Sequence, residues 1–230
     1  MTFSSRSPAT LRLAGLLYLV IIVCGLGAEV LARGPLVDFD DPAATASAIQ
    51  NAVGTFRLAI AADIVMAAAD AALAILLYVI FYPVAPVMAL TAMVFRLIQS
   101  VMIAINLMHM QSALLLITGA PELAKQQAEA MALHALTLHA HGYDLGLVFF
   151  AINCLLTGVL IWVSHLIPRI IGAGIIAAGI VYLIGSSLRV FAPAAVDAFM
   201  PAYGVTIVAE GAFCIILLSG GTRRRRVRDA

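Results

Sequence analysis

Six stretches of this chain stay apolar for about 20 residues or more, at 11–33, 55–82, 84–118, 143–164, 168–191 and 199–219. A helix rises about 1.5 Å per residue, so about 20 residues cross a hydrocarbon layer of about 30 Å, and each stretch reads as a membrane span. Backbone polar groups at that depth must bond within their own segment, and runs of this length do so as helices. The chain is 63% hydrophobic and 11% charged, less than half the charge, about 25%, with which a soluble domain wets its surface. The expectation is an all-α integral membrane protein, a six-helix bundle forming a single transmembrane domain over residues 1–230.

Local chemistry punctuates the spans. Arg33-Gly34-Pro35 is expected to stop the first helix, and Asp41-Pro42 to cap the next. Residues 43–54 favour helix but are polar, and are expected to extend span two outward. The first apolar run exceeds a signal sequence's core and ends in Glu29, so it reads as a span. Lys and Arg collect on cytoplasmic loops. Placing the N-terminus inside puts Arg6, Arg12, Arg169 and the five arginines of the 222–230 tail on the inner face. Asp38, Asp40, Asp41, Glu122 and Glu129 then lie outside, against Arg33 and Lys125. Both termini are expected to be cytoplasmic. The basic tail reads as a topology anchor beside the lipid bilayer, and no nucleic-acid partner is implied.

Eight ionisable residues interrupt the apolar stretches: Glu29, Arg57, Asp63, Asp70, Arg96, Asp144, Arg189 and Glu210. A charge at bilayer depth costs kilocalories unless it is paired, neutralised or wetted, so each asks for a partner or a purpose. Asp63 and Asp70 are seven residues apart and share a helix face, as do Gln99 and Asn106. Depth counting places Glu29, Arg57, Asp63, Asp144 and Arg189 in the outer half, with Asp70, Arg96 and Glu210 near the middle. The picture is a polar interior open to the outer side.

Three functional readings compete with a structural one. Intramembrane carboxylates that share water can relay a proton or ion, or bind a small solute. An amphiphile entering from the outer leaflet is another occupant, with the arginines as anion hooks. His139, His141, Asp144 and Glu29 are the candidate metal ligands for an intramembrane enzyme. However, His139 and His141 stand about 200° apart on a regular helix, and neither has HExxH spacing. The remaining reading is a scaffold in which the charges pair as glue. Catalytic serine, phosphate-loop and dinucleotide signatures are absent, no cofactor is implied, and Cys24, Cys154 and Cys214 stand singly.

The runs AGLLYLVIIVCGLGAE (14–29), FRLAIAADIVMAAADAALAILLY (56–78), FRLIQ (95–99), NLM (106–108), LHAHGYDLGLVFFAINCLLTG (138–158) and LIPRIIG (166–172) resemble the bacterial membrane family known as domain of unknown function 4386. The resemblance covers nearly the whole chain. It implies a six-span fold in the bacterial inner membrane and places Glu29, Arg57, Asp63, Asp70, Arg96, His139, Gly142, Asp144 and Pro168 at motif positions. His141 stands where the family's motif more often has an aromatic residue, which weakens a metal site built on it. The resemblance implies no biochemistry. The leading functional expectation is binding or passage of a small solute, proton or ion through the cavity residues Glu29, Arg57, Asp63, Asp70, Arg96, Asn106, His139, His141, Asp144, Arg189 and Glu210.

Overall fold

A computed structural model describes residues 7–119 and 123–221. Arg6, Glu122 and the 222–230 tail lie outside the described residues, as does the part of the orientation argument that rests on them. The described residues form helices and turns without strands. Seven helices are substantial: α1 (Pro8–Leu36), α2 (Pro42–Asn51), α3 (Val53–Phe81), α4 (Pro86–Gly119), α5 (Lys125–Ser164), α6 (Arg169–Phe191) and α7 (Gly204–Ser219). All but α2 belong to segments long and apolar enough to cross a membrane, the last spanning Pro193–Ser219. The expected set of six helices therefore becomes seven, six of them of membrane length. At about 1.5 Å per residue, the 40-residue α5 is about 60 Å long, twice the hydrocarbon thickness, so it projects beyond the bilayer.

Two joints differ from the sequence expectation. The first helix does not stop at Arg33. Its turn widens over Glu29–Arg33, where the Gly34 N–H bonds to the Glu29 carbonyl, and normal bonding resumes with the Val37 N–H to the Arg33 carbonyl at 3.0 Å. Pro35 has no N–H to offer and its ring crowds the preceding turn, and the extra residue in a π turn makes the room it needs. Residues 43–54 do not simply extend span two. Asp41 caps α2, accepting from the N–H groups of Ala43 and Ala44 at 3.0 and 2.9 Å, and the chain breaks at Ala52 (φ −131°, ψ 36°). That break turns α2 so that it lies against α5 and α4, with Ala46 and Ile49 buried.

The long helices close a ring in chain order. Neighbours α1–α3, α3–α4, α4–α5, α5–α6 and α6–α7 pack along one another, and α7 returns to α1. Gly15 sits at the closing seam, where a Cβ would stand 2.5 Å from the Leu218 backbone nitrogen. Gly158 and Gly172 cross as closely, a Cβ on either falling 2.7 Å from the other's carbonyl oxygen, so the lack of side chains there lets α5 and α6 pack closely. Outside the ring Leu16, Val23, Leu58, Ile75, Ile105, Ile170 and Ile215 are exposed, a surface that suits lipid and not water.

The interior is layered along the helices. One apolar cluster includes Tyr18, Leu73, Leu77, Phe81, Leu160, Phe213 and Leu217. A second gathers Ile49, Phe56, Leu107, Met110, Leu114 and Leu136. Between these clusters fall Asp63 and Asp70 on α3, the buried polar residues from Arg96 to Asn106 on α4, and His139 and Asp144 on α5, while Asn153 and Thr157 of α5 lie among the residues of the first cluster.

Candidate functional site

Arg96 on α4 is buried, 2% exposed. Its Nε and Nη2 both donate to Asp70 Oδ1, at 2.8 and 2.5 Å, and Nη1 donates to Asn153 Oδ1 at 3.3 Å. The rings of Tyr18 and Phe150 cover the guanidinium, with its carbon 5.4 and 5.1 Å from their centroids. Aromatic faces attract a cation electrostatically, most strongly where water is displaced. Asn153 is fixed by donating to the Ala92 carbonyl at 2.8 Å. A void of about 10 Å³ adjoins Arg96 and Asn153, room for about one water.

Glu210 on α7 completes this layer. Tyr18 donates to its Oε2 at 2.9 Å and Tyr182 to its Oε1 at 2.5 Å. Tyr182 also meets Phe150 edge-on, with centroids 5.3 Å apart. Tyr18, Asp70, Arg96, Asn153, Tyr182 and Glu210 thus draw one residue from each membrane-length helix. Two carboxyl groups, Asp70 and Glu210, share the neighbourhood of a single arginine.

About two turns from Asp70 along α3, the π turn of α1 aims Arg33 inward at Asp63. Arg33 Nε donates to Glu29 Oε2 at 2.7 Å, and its Nη1 pairs with Asp63 Oδ2. Asp63 is 1% exposed. The Tyr143 ring lies 5.9 Å from the Arg33 guanidinium carbon, and His139 lies 6.2 Å from Tyr143, ring to ring. Asn106 holds His139, its Nδ2 bonding the His139 carbonyl at 2.7 Å and lying 3.1 Å from Nδ1. Gly142 makes this possible, because a Cβ there would stand 2.8 Å from Asn106 Cγ.

A third pair joins Asp144 on α5 to Arg189 on α6 through the guanidinium Nε. It borders a cavity of about 150 Å³ also lined by Val196, Phe199, Met200 and Tyr203.

Every acid among the predicted residues has a partner, yet several buried polar atoms do not. Asp70 Oδ2, Asp63 Oδ1, Gln99 Oε1 and His139 Nε2 are buried and make no hydrogen bond among the described residues. Orphaned buried acceptors are uncommon and ask for a reason. Asp63 and Asp70, seven residues apart, are separated by about 10 Å of helical rise.

Two predicted residues stand apart. Arg57 and His141 are exposed, and Arg57 makes no ion pair among the described residues. The metal candidates do not converge: Glu29 pairs with Arg33, His139 bonds Asn106, Asp144 pairs with Arg189. Among the described residues no three of His, Cys, Asp and Glu gather where they could hold an ion. Sequence reasoning missed Arg33, assigning it to an outer loop, although its place four residues after Glu29 put both on one helix face. Tyr18, Tyr182 and Tyr203 were missed too, since lone tyrosines in apolar runs read as packing.

The resemblance noted from the motifs is decided by a profile match over residues 13–221. The chain belongs to the DUF4386 family, a domain of unknown function. The match takes in the Arg33–Asp63, Arg96–Asp70 and Arg189–Asp144 pairs of this DUF4386 chain, and the aromatic cage around Arg96. No curated protein and no solved structure matches it.

Proposed function

We propose that this DUF4386 protein passes protons through its intramembrane charge layers. It would sit in the bacterial inner membrane with both ends of the chain on the cytoplasmic side. One observation carries the reading: Asp70 and Asp63 each hold an arginine with one carboxylate oxygen and keep the other buried and unpaired. A proton can be added to the free oxygen without breaking the arginine contact, which is what an intramembrane relay requires. His139 Nε2 is a further orphan near the outer pair. Glu210 supplies another titrating site on the opposite side of the Arg96 cage, held by two tyrosine hydroxyls that can donate or accept.

The test is proton flux into vesicles that hold the purified protein and a trapped pH-sensitive dye, driven by a potassium diffusion potential. Parent protein acidifies the lumen faster than empty vesicles do, and Asp70→Asn and Glu210→Gln reduce the rate to background. Tyr18→Phe and Tyr182→Phe, which keep the rings, slow it without loss of fold. Flux equal to that of empty vesicles, or unchanged in both acid variants, refutes the relay.

The completeness of the pairing supports a second reading, a scaffold in which the ion pairs hold register between helices. It predicts that the same substitutions lower stability in detergent and that the parent protein carries no flux.

A further inference from the structure

The cavity between α5, α6 and the turns that precede α7 lies outside the Arg96 layer. We propose that it binds a small organic monocarboxylate, gripped by Arg189 and seated against an apolar wall. Asp144 engages the guanidinium at Nε. The two terminal amino groups make no hydrogen bond or ion pair among the described residues, and the side chain is 36% exposed. That free edge is a planar fork of N–H donors matched to the two oxygens of a carboxylate.

The rest of the cavity sets size and polarity. Its volume is about 150 Å³, the size of an engineered apolar cavity that takes up benzene. An occupant of about six non-hydrogen atoms fits, as butyrate does. Val196, Phe199 and Met200 line the same cavity and offer apolar surface to a short aliphatic chain. Tyr203 forms the floor. The hydroxyl end of its ring reaches α6 because residue 185 is glycine, where a Cβ would meet Tyr203 Cζ at 2.8 Å. Phe199 and Tyr182 hold that ring edge-on at 6.3 and 5.9 Å. One cation beside one fixed acid favours a ligand carrying a single negative charge, because Asp144 opposes a second.

The same carboxylate chemistry is presented by soluble short-chain acids and by fatty acids in the bilayer, whose tails would leave through the open side of the cavity. Calorimetric titration of the detergent-purified full chain with sodium butyrate tests the site, and dodecanoate in a second arm identifies the source. Butyrate binds and neutral butyramide does not. Arg189→Gln weakens binding by about tenfold or more, as loss of a charge-assisted fork should. Asp144→Asn acts in the opposite sense and tightens binding about threefold, since it removes the anion that competes for the guanidinium. A purely structural ion pair gives no such opposed signs. Val196→Trp fills the cavity, leaves both charges in place and also abolishes binding, so it decides the matter should Arg189→Gln fail to fold. Displacement of butyrate by dodecanoate assigns the site to membrane fatty acids, and failure to displace assigns it to soluble acids. No heat up to about 10 mM butyrate, corresponding to affinity too weak to matter, overturns the proposal, as does equal binding of butyramide. So does parent-like binding in Val196→Trp. The readout is binding in detergent, so it stands or falls apart from proton flux.

Discussion

Replacing Arg96 with methionine tests whether the central layer is a matched electrostatic unit or a set of ordinary helix contacts. The substitution removes three hydrogen bonds, at 2.8, 2.5 and 3.3 Å, and uncovers two aromatic faces. It also leaves Asp70, 3% exposed, without its cation. Breaking a buried pair from one side costs about 3–5 kcal/mol, because the surviving charge must be neutralised or stranded. Asp70→Leu strands Arg96 and falls in the same range. Independent effects would sum to about 6–10 kcal/mol. Replacing both partners strands neither, and apolar substitutes for buried pairs are often neutral. The double variant should therefore cost no more than either single one, a coupling of about 3 kcal/mol or more. Reversible unfolding in mixed micelles, followed by circular dichroism, gives all four corners of the cycle. Hydrogen bonds between membrane helices average only about 0.6 kcal/mol in such cycles. A coupling of that size would mean that water or lipid headgroups already satisfy Asp70 and Arg96 when they are apart, and the account of a dry, mutually dependent layer would be wrong.

Three glycine substitutions check the packing around the site. Gly142→Ala should cost about 1–3 kcal/mol by driving Asn106 away from His139, and adding Asn106→Ala should recover part of that loss in the same unfolding assay. Gly158→Ala places a Cβ 2.7 Å from the Gly172 carbonyl oxygen and should cost a similar amount. Gly211→Ala, with nothing within 4 Å, should be neutral or raise stability by about 0.5–1 kcal/mol through helix propensity. Melting curves of Gly158→Ala and Gly211→Ala shifting together would contradict the close α5–α6 crossing.

The sequence carried the membrane character of the chain in the length of its apolar runs, which any helix must respect. It carried the face shared by Asp63 and Asp70 through their seven-residue spacing. Partner choice was harder to see. Asp70–Arg96 and Asp144–Arg189 depend on how neighbouring helices are rotated about their axes, which charge spacing within one helix does not specify. Arg33 was misplaced because Gly-Pro after it reads as a stop. Only the π turn, a local response to Pro35, shows that the helix continues and turns the guanidinium inward. The tyrosines on Glu210 come from α1 and α6, separated from it by 192 and 28 residues, and no local pattern announces a contact of that range. Exposure of Arg57 and His141 likewise follows from which helix faces meet lipid or the aqueous end, a matter of assembly.

The closed ring also implies an order of biogenesis. Arg33 and Asp63 lie 30 residues apart, and Asp70 and Arg96 lie 26 apart, so each acid and its cation sit on long helices that leave the ribosome one after the other. Asp144 and Arg189 follow the same rule on α5 and α6. Successive helical hairpins can therefore enter the bilayer with their charges already compensated, and none has to wait in lipid for a distant partner. Glu210 is the exception. It arrives last, on the helix that joins the two edges of an open arc, and both of its tyrosines are already in place to receive it.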